Sequence, residues 1–220
     1  MSEYVFAPAP TPSLAVAGTS ARFAVRRIWC VGRNYADHAR EMGHDARQPP
    51  FFFSKQPDMV VPGGGAITYP GLTGNLHYEG ELVVALKGGG ANLNERAATD
   101  AIFGYGAGID MTRRDLQNEM AALKKPWEIG KSFDHAAVIG PIHPASKTGH
   151  FTKGAISLAV NGKVRQDSDL SKMIWSVAEQ ISKLSEAFEL KAGDIIYSGT
   201  PENVGPVVKG DVLLCKLDGL

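Results

Sequence analysis

The stretch His77-Tyr78-Glu79-Gly80-Glu81 runs directly into Leu82-Val83-Val84-Ala85-Leu86, and this juncture constrains the fold more than any other segment. It reads as a strand whose apolar half is buried while its head carries two carboxylates. On a single strand the side chains alternate, so His77, Glu79 and Glu81 share a face at steps of about 7 Å. Like charges aimed the same way beside a buried run repel unless something positive lies between them. A hard divalent cation, Mg²⁺, Mn²⁺ or Ca²⁺, takes such oxygen ligands. Two solvated glutamates at an exposed strand end are the other reading of these residues alone.

The chain has 220 residues and 44% hydrophobic content, enough for a sizeable core. Lys+Arg and Asp+Glu both number 23, and with no basic field nucleic acid is not an expected partner. Cys30 and Cys215 lie in apolar stretches far apart, as reduced core residues of a cytosolic protein do. No signal peptide is expected, because the N-terminus lacks a basic segment followed by an unbroken apolar one. No apolar run is long enough to span a bilayer. The expected location is therefore cytoplasmic, with no membrane partner.

The glycine and proline content (Gly 25, Pro 13) points to many tight turns between short strands. Residues 1–24 read as a Pro/Ala-rich lead-in with a short hairpin around Gly18, followed by a single domain over 25–220. Ile28-Trp29-Cys30-Val31 predicts a buried strand, and Arg33 to Met42 a helix stopped at Gly43, with His38 and Glu41 on one face. The polar segment Gly43 to Pro50 has the character of a flap over a site. Further helices are expected over 95–102, 112–124 and 171–188, the last burying Ile174, Val177, Ile181, Leu184 and Phe188. Strands are expected over 51–55, 103–110, 137–140 and 195–198, with more after Val204. Asn161-Gly162 predicts a two-residue type I′ hairpin. Neither Gly63-Gly64-Gly65 nor Gly88-Gly89-Gly90 is followed by the helix and Lys-Ser/Thr of a phosphate loop. The glycines of Phe103 to Asp110 suit close approach of backbone or ligand better than a dinucleotide fingerprint. With no repeat and no linker, the chain reads as one β-rich α+β domain.

Five motifs in order resemble the fumarylacetoacetate hydrolase superfamily: Val31-Gly32-Arg33-Asn34-Tyr35-Ala36-Asp37-His38, typical of its acylpyruvate hydrolase branch; His77 to Leu82; Gly108-Ile109-Asp110-Met111-Thr112-Arg113-Arg114-Asp115-Leu116-Gln117; Lys131-Ser132-Phe133-Asp134; and Ser198-Gly199-Thr200-Pro201. The resemblance runs from about residue 26 to the C-terminus. It implies a mixed β-sandwich roll with layered sheets and a few flanking helices, commonly as a homodimer. It also implies one Mg²⁺ or Mn²⁺ per subunit held by Glu79, Glu81 and Asp110, which adds a third ligand to the two glutamates.

By the same resemblance, His38 and Glu41 on a closing lid activate water. Lys131 is a catalytic lysine that donates to the developing oxyanion, and Thr200 hydrogen-bonds the substrate carboxylate. Arg114 and Gln117 line the pocket, and His77 supports a ligand rather than binding the metal. The implied substrates are 2,4-dioxo acids, cleaved between carbons 3 and 4 to release pyruvate. The stretch Glu41 to Asp45, followed by Pro49 to Lys55, points within the family to fumarylpyruvate in gentisate catabolism, with fumarate and pyruvate as products. Such a substrate has a distal carboxylate, for which Arg33, Arg40 and Lys55 are the candidate cations. Decarboxylation of oxaloacetate and a homoprotocatechuate-pathway isomerisation are the alternatives within enzymes. A catalytically idle metal-binding dimer is the alternative outside them.

Overall fold

The computed structural model describes residues 3–35 and 48–220. In chain order the strands are Ser13–Ala15 (β1), Arg22–Ala24 (β2), Arg27–Gly32 (β3), Phe51–Lys55 (β4), Val60–Pro62 (β5), Leu76–Tyr78 (β6), Gly80–Leu86 (β7), Ile102–Asp110 (β8), Thr112–Arg113 (β9), Ala137–Ile139 (β10), His143–Pro144 (β11), Ala155–Val160 (β12), Lys163–Asp169 (β13), Asp194–Tyr197 (β14), Gly205–Pro206 (β15) and Leu213–Leu217 (β16). The α-helices among the described residues are Glu95–Asp100 (α1), Arg114–Ala122 (α2), Glu128–Lys131 (α3), Ala145–Thr148 (α4) and Val177–Ala187 (α5).

The main sheet runs β4-β3-β14-β7-β8-β10-β5, with β11 also paired to β8. It is mixed, since β14 is parallel to β3 and β10 to β5 while the remaining pairs are antiparallel. Two three-stranded sheets, β13-β12-β16 and β15-β6-β9, and the β1-β2 hairpin complete the layers. This is the β-rich α+β architecture expected from the sequence.

Central β7 explains the layering. Leu82, Val84 and Leu86 pack on one face with Ala98 of α1 and Val177, Ile181 and Leu184 of α5. Val83 and Ala85 pack on the other face with Leu14, Ile28, Cys30, Ile139 and Ile195. A strand apolar on both faces needs cover on both, and full burial of each large side chain contributes roughly 1.5–3 kcal/mol. Leu14 and Val25 in that second cluster bring the N-terminal hairpin and the residue after it into the core.

The segment from His77 to Leu86 is not one strand, so the expected single-strand geometry is corrected, although Glu79 and Glu81 still converge on one side. β6 pairs with β9 in a small sheet, with His77 opposite Thr112, whereas β7 pairs with β8 in the main sheet, with Gly80 opposite Ile109. Glu79 lies between them, and its carbonyl accepts the Asp110 N–H at 2.8 Å. Two antiparallel segments thus leave one sheet and enter the other side by side, and the seam falls at Glu79 and Asp110.

Elsewhere the local expectations hold with shifted ends. Asn161 and Gly162, at φ 51° and 77°, form the two-residue turn that pairs Val160 with Lys163. α5 starts at Val177 because Ser176 and Glu179 form a capping box. Ile174 therefore precedes the helix, and Phe188 is 39% exposed rather than buried. Gly104 allows close backbone approach, since a Cβ there would lie 2.2 Å from the His143 carbonyl oxygen. The helix expected from Arg33 does not include residues 33–35: Arg33 has φ 59° and Tyr35 is bridged to Met173. The rest of it, with His38, Arg40, Glu41 and the flap up to 47, lies outside the described residues.

Candidate active site

The seam brings the three predicted metal ligands together. Glu79, Glu81 and Asp110 are all buried, and one ligand oxygen from each lies within 4.8 Å of the others. Asp110 reaches the cluster because the β7–β8 register, continued past Gly80 and Ile109, sets it beside Glu79. Glu81 enters from β7, and its Oε2 accepts a 2.6 Å hydrogen bond from the Gly199 N–H. Gly199 has φ 97°, and a Cβ there would stand 2.6 Å from Asn34 Cβ, so that donor needs a glycine.

Three buried carboxylates require positive charge, and the chain supplies part of it. Lys131 Nζ donates to Glu79 Oε2 at 2.6 Å, Asp110 Oδ2 at 2.9 Å and Thr112 Oγ1 at 2.7 Å. Lys55 Nζ lies 2.7 Å from Asp110 Oδ1 and also donates to the Lys131 and Met111 carbonyls. Arg114 pairs with Glu79 through Nη2 and donates to Gln117 through Nη1. Burial alone would lower the Lys131 pKa, but the charges of Asp110 and Glu79 outweigh it and raise it.

Glu81 shows what remains uncompensated. Burial, then Asp110 and Glu79, push its carboxyl well above the usual range, against the opposing effects of Lys131 and the Gly199 amide. Among the described residues it has no ion pair. Asp110 Oδ1 is buried and, although Lys55 is within ion-pair distance, it accepts no aligned hydrogen bond. An all-oxygen donor set with a buried, hydrogen-bond-free oxygen and an under-compensated carboxylate fits a hard divalent ion such as Mg²⁺ or Mn²⁺.

One cavity gathers most of the other predicted residues. Arg33, Arg114, Gln117, Lys131 and Thr200 line it together with Glu79 and Glu81, beside Val31, Gly32, Phe53 and Trp127. Arg114 and Gln117 come from one face of α2, three residues apart, and both are buried. Thr200 faces the cavity with a committed hydroxyl, which donates to the Gly80 carbonyl at 3.0 Å and accepts from Gln166 at 2.9 Å. All three N–H bonds of Lys131 likewise go to protein oxygens.

Lys55 is absent from the cavity lining: it is 2% exposed and turned onto Asp110, which removes it from the candidates for a distal substrate carboxylate. His77 stands behind Arg114, its Nδ1 facing Arg114 Nε at 3.4 Å and its Nε2 meeting Asn75 Oδ1 at 2.9 Å. Burial and Arg114 lower its pKa to about 4, so a neutral imidazole supports the arginine that pairs with Glu79.

Sequence reasoning missed the Lys55–Asp110 pair, although a lysine ending an apolar strand was a usable signal. It also missed Gln166, which accepts from the Gly80 N–H and donates to Thr200 and the Pro201 carbonyl. Nothing in the local pattern of a hairpin arm marks that residue. Asn34, fully buried, ties the Ser198 carbonyl to Trp175.

A buried oxygen-donor centre at the seam of layered mixed sheets, opening on a cavity lined by arginine, lysine and glutamine, is the arrangement of a metal-dependent enzyme for small anionic substrates. Residues 27–220 match the family model described as fumarylacetoacetate (FAA) hydrolase C-terminal, and the chain belongs to this family. A fumarylpyruvate hydrolase of Ralstonia sp is 43% identical over 170 residues, covering 77% of this chain and 88% of that protein. The mitochondrial oxaloacetate tautomerase of Homo sapiens is 40% identical over 195 residues, covering 89% and 88%. The crystal structure of fumarylpyruvate hydrolase from Pseudomonas aeruginosa in complex with Mn²⁺ and pyruvate superposes with a TM-score of 0.96 at 52% identity, covering 99% of this chain and 96% of that one.

Proposed function

We propose that this protein is a divalent-metal-dependent hydrolase of 2,4-dioxo acids that splits fumarylpyruvate into fumarate and pyruvate, a reaction of aromatic catabolism through gentisate. The reading is carried by the buried Glu79–Glu81–Asp110 cluster in a chain whose similar structures include a fumarylpyruvate hydrolase holding Mn²⁺ and pyruvate. Glu79, Glu81 and Asp110 would hold Mg²⁺ or Mn²⁺, which when bound supplies Lewis-acid polarisation at the 2-oxo acid end of the substrate.

The chain's own groups do the rest. His38, kept basic by Glu41, takes a proton from water as its oxygen adds to carbon 4. The bond between carbons 3 and 4 then breaks, and its electron pair passes into the carbon 2–carbon 3 double bond of the pyruvate enolate. His38 returns its proton to that enolate, and the acyl part leaves as a carboxylic acid that ionises to the carboxylate. Lys131 and Arg114 hold Glu79 in place, and Lys131 gives one of its N–H bonds to the developing oxyanion when a protein oxygen releases it. Arg33, Gln117 and Thr200 line the substrate's path. The catalytic domain spans 25–220 and works in the cytoplasm as a homodimer; among the described residues, no helix is long and apolar enough to cross a membrane.

Similarity to an oxaloacetate tautomerase favours oxaloacetate chemistry, including its decarboxylation, as the second reading. Product analysis on a panel of acylpyruvates and oxaloacetate separates the two. Release of a second organic acid with pyruvate is the expected result. CO₂ from oxaloacetate, or its keto–enol interconversion with no acylpyruvate turnover, would replace it.

A further inference from the structure

We infer that Arg33, caged by the rings of Phe51 and Trp127, clamps the distal carboxylate of the substrate and makes the site selective for diacids. This deepens, and rests on, the acylpyruvate hydrolase reading.

A dioxo acid with a carboxylate at each end brings a second anion into the cavity beyond the groups that hold its 2-oxo acid end. Taking that anion out of water requires a cation with free donors. Among the described residues three cations line the cavity: Lys131, Arg114 and Arg33. Lys131 has its three N–H bonds on Glu79, Asp110 and Thr112. Arg114 gives one N–H of Nη2 to Glu79, one of Nη1 to Gln117 and its Nε–H to His77, and its charge is already matched by Glu79. Arg33 makes no ion pair among the described residues, and its Nε is buried with no hydrogen-bond partner.

The side chain is nevertheless held. Its guanidinium carbon lies 5.5 Å from the Phe51 ring centroid and 5.7 Å from that of Trp127, and these rings meet edge-on at 4.9 Å and 90°. Cation–π contact consumes no N–H donor as an ion pair does, so the guanidinium keeps donors for a carboxylate. The backbone serves the same end. A Cβ on Gly32 would lie 2.1 Å from the Phe51 ring, so the ring rests directly on this glycine, and Arg33 itself takes φ 59°, a conformation uncommon outside glycine. Lys55, the cation at the other end of the strand that carries Phe51, faces Asp110 instead.

The test compares kcat/KM of the Mn²⁺-loaded enzyme on fumarylpyruvate with that on acetylpyruvate, which lacks the distal charge. The wild type should prefer the diacid, and Arg33→Met should cut that selectivity ratio about 30-fold, the scale of a lost charge-assisted pair. The loss should fall mainly in KM for fumarylpyruvate, and Arg33→Lys should recover part of it. Trp127→Leu, which removes one wall of the cage and carries the test if Arg33→Met does not fold, should cut the ratio by about 3- to 10-fold. An unchanged ratio in Arg33→Met and Trp127→Leu would overturn the inference, as would a ratio lost in Arg40→Met but kept in Arg33→Met. A wild type that hydrolyses neither compound would overturn the parent reading and this inference with it. Hydrolysis of both without preference would overturn this inference alone.

Discussion

Leu82–Leu86 and Glu79–Glu81 are neighbours in the chain, both buried, and held in opposite ways. The apolar run is completely enclosed, from Leu82 through Leu86 at 0% exposure, by contacts that are non-directional and numerous. Losing part of one side chain there costs that side chain's burial and little else. At the seam, Glu79, Glu81 and Asp110 face Lys55, Lys131 and Arg114, and each charge is tolerable only because of the others. Removing one member leaves another buried and uncompensated, so the cost spreads through the cluster. Stability built from apolar area is local, whereas stability built from paired buried charge belongs to the group.

The sharpest way to break this comparison is Asp110→Ala. It removes a ligand oxygen, strands Lys55 and takes one of two carboxylates from Lys131, so activity should fall by more than the ~10- to 100-fold typical of losing a ligand's supporting partner. Mn²⁺ binding, followed by calorimetry, should weaken with it. Retained tight binding would remove Asp110 from the metal site.

Lys55→Met probes the same group from behind. We expect a loss of about 3 kcal/mol in denaturant unfolding, because the buried Asp110 loses one of its two ammonium partners and keeps only Lys131. Saturating Mn²⁺ should raise the melting temperature of this variant by more than it raises that of the wild type. Equal gains would mean that the ion and Lys55 do not share a charge.

Leu82→Ala supplies the contrast. Its loss of about 2–5 kcal/mol should come with an Mn²⁺-dependent gain no different from wild type, since no charge is disturbed. The smallest effect belongs to Ser176→Ala, at about 1 kcal/mol for the lost cap of α5, with metal binding unaltered. A metal-dependent response in either variant would show that core and seam are not separable.

The same contrast explains what the sequence made legible. Short-range patterns read well: the Asn161-Gly162 turn, the strand Ile195–Tyr197 and the apolar face of α5 are set by neighbours in the chain. The triad was half readable, because two glutamates heading a buried run already call for a cation, while Asp110 came from motif resemblance. Its actual delivery depends on the β7–β8 register and on a change of sheet at Glu79, which no local signal announces. Long-range partners were the hardest. Gln166 reaches Thr200 across 34 positions, and Lys55 reaches Asp110 across a still longer span. Lys131, called as a donor to substrate, spends its N–H bonds on protein oxygens, because buried carboxylates compete for any ammonium near them.

The most direct measurement strips the purified protein of metal with a chelator and follows hydrolysis of fumarylpyruvate as Mn²⁺ is returned. Activity should vanish on stripping and return in proportion to Mn²⁺ up to one ion per subunit, with fumarate and pyruvate formed in equal amounts. Hydrolysis that survives complete removal of metal, or an Mn²⁺-loaded protein that leaves fumarylpyruvate intact, would contradict the assignment of Glu79, Glu81 and Asp110 as the centre of this chemistry.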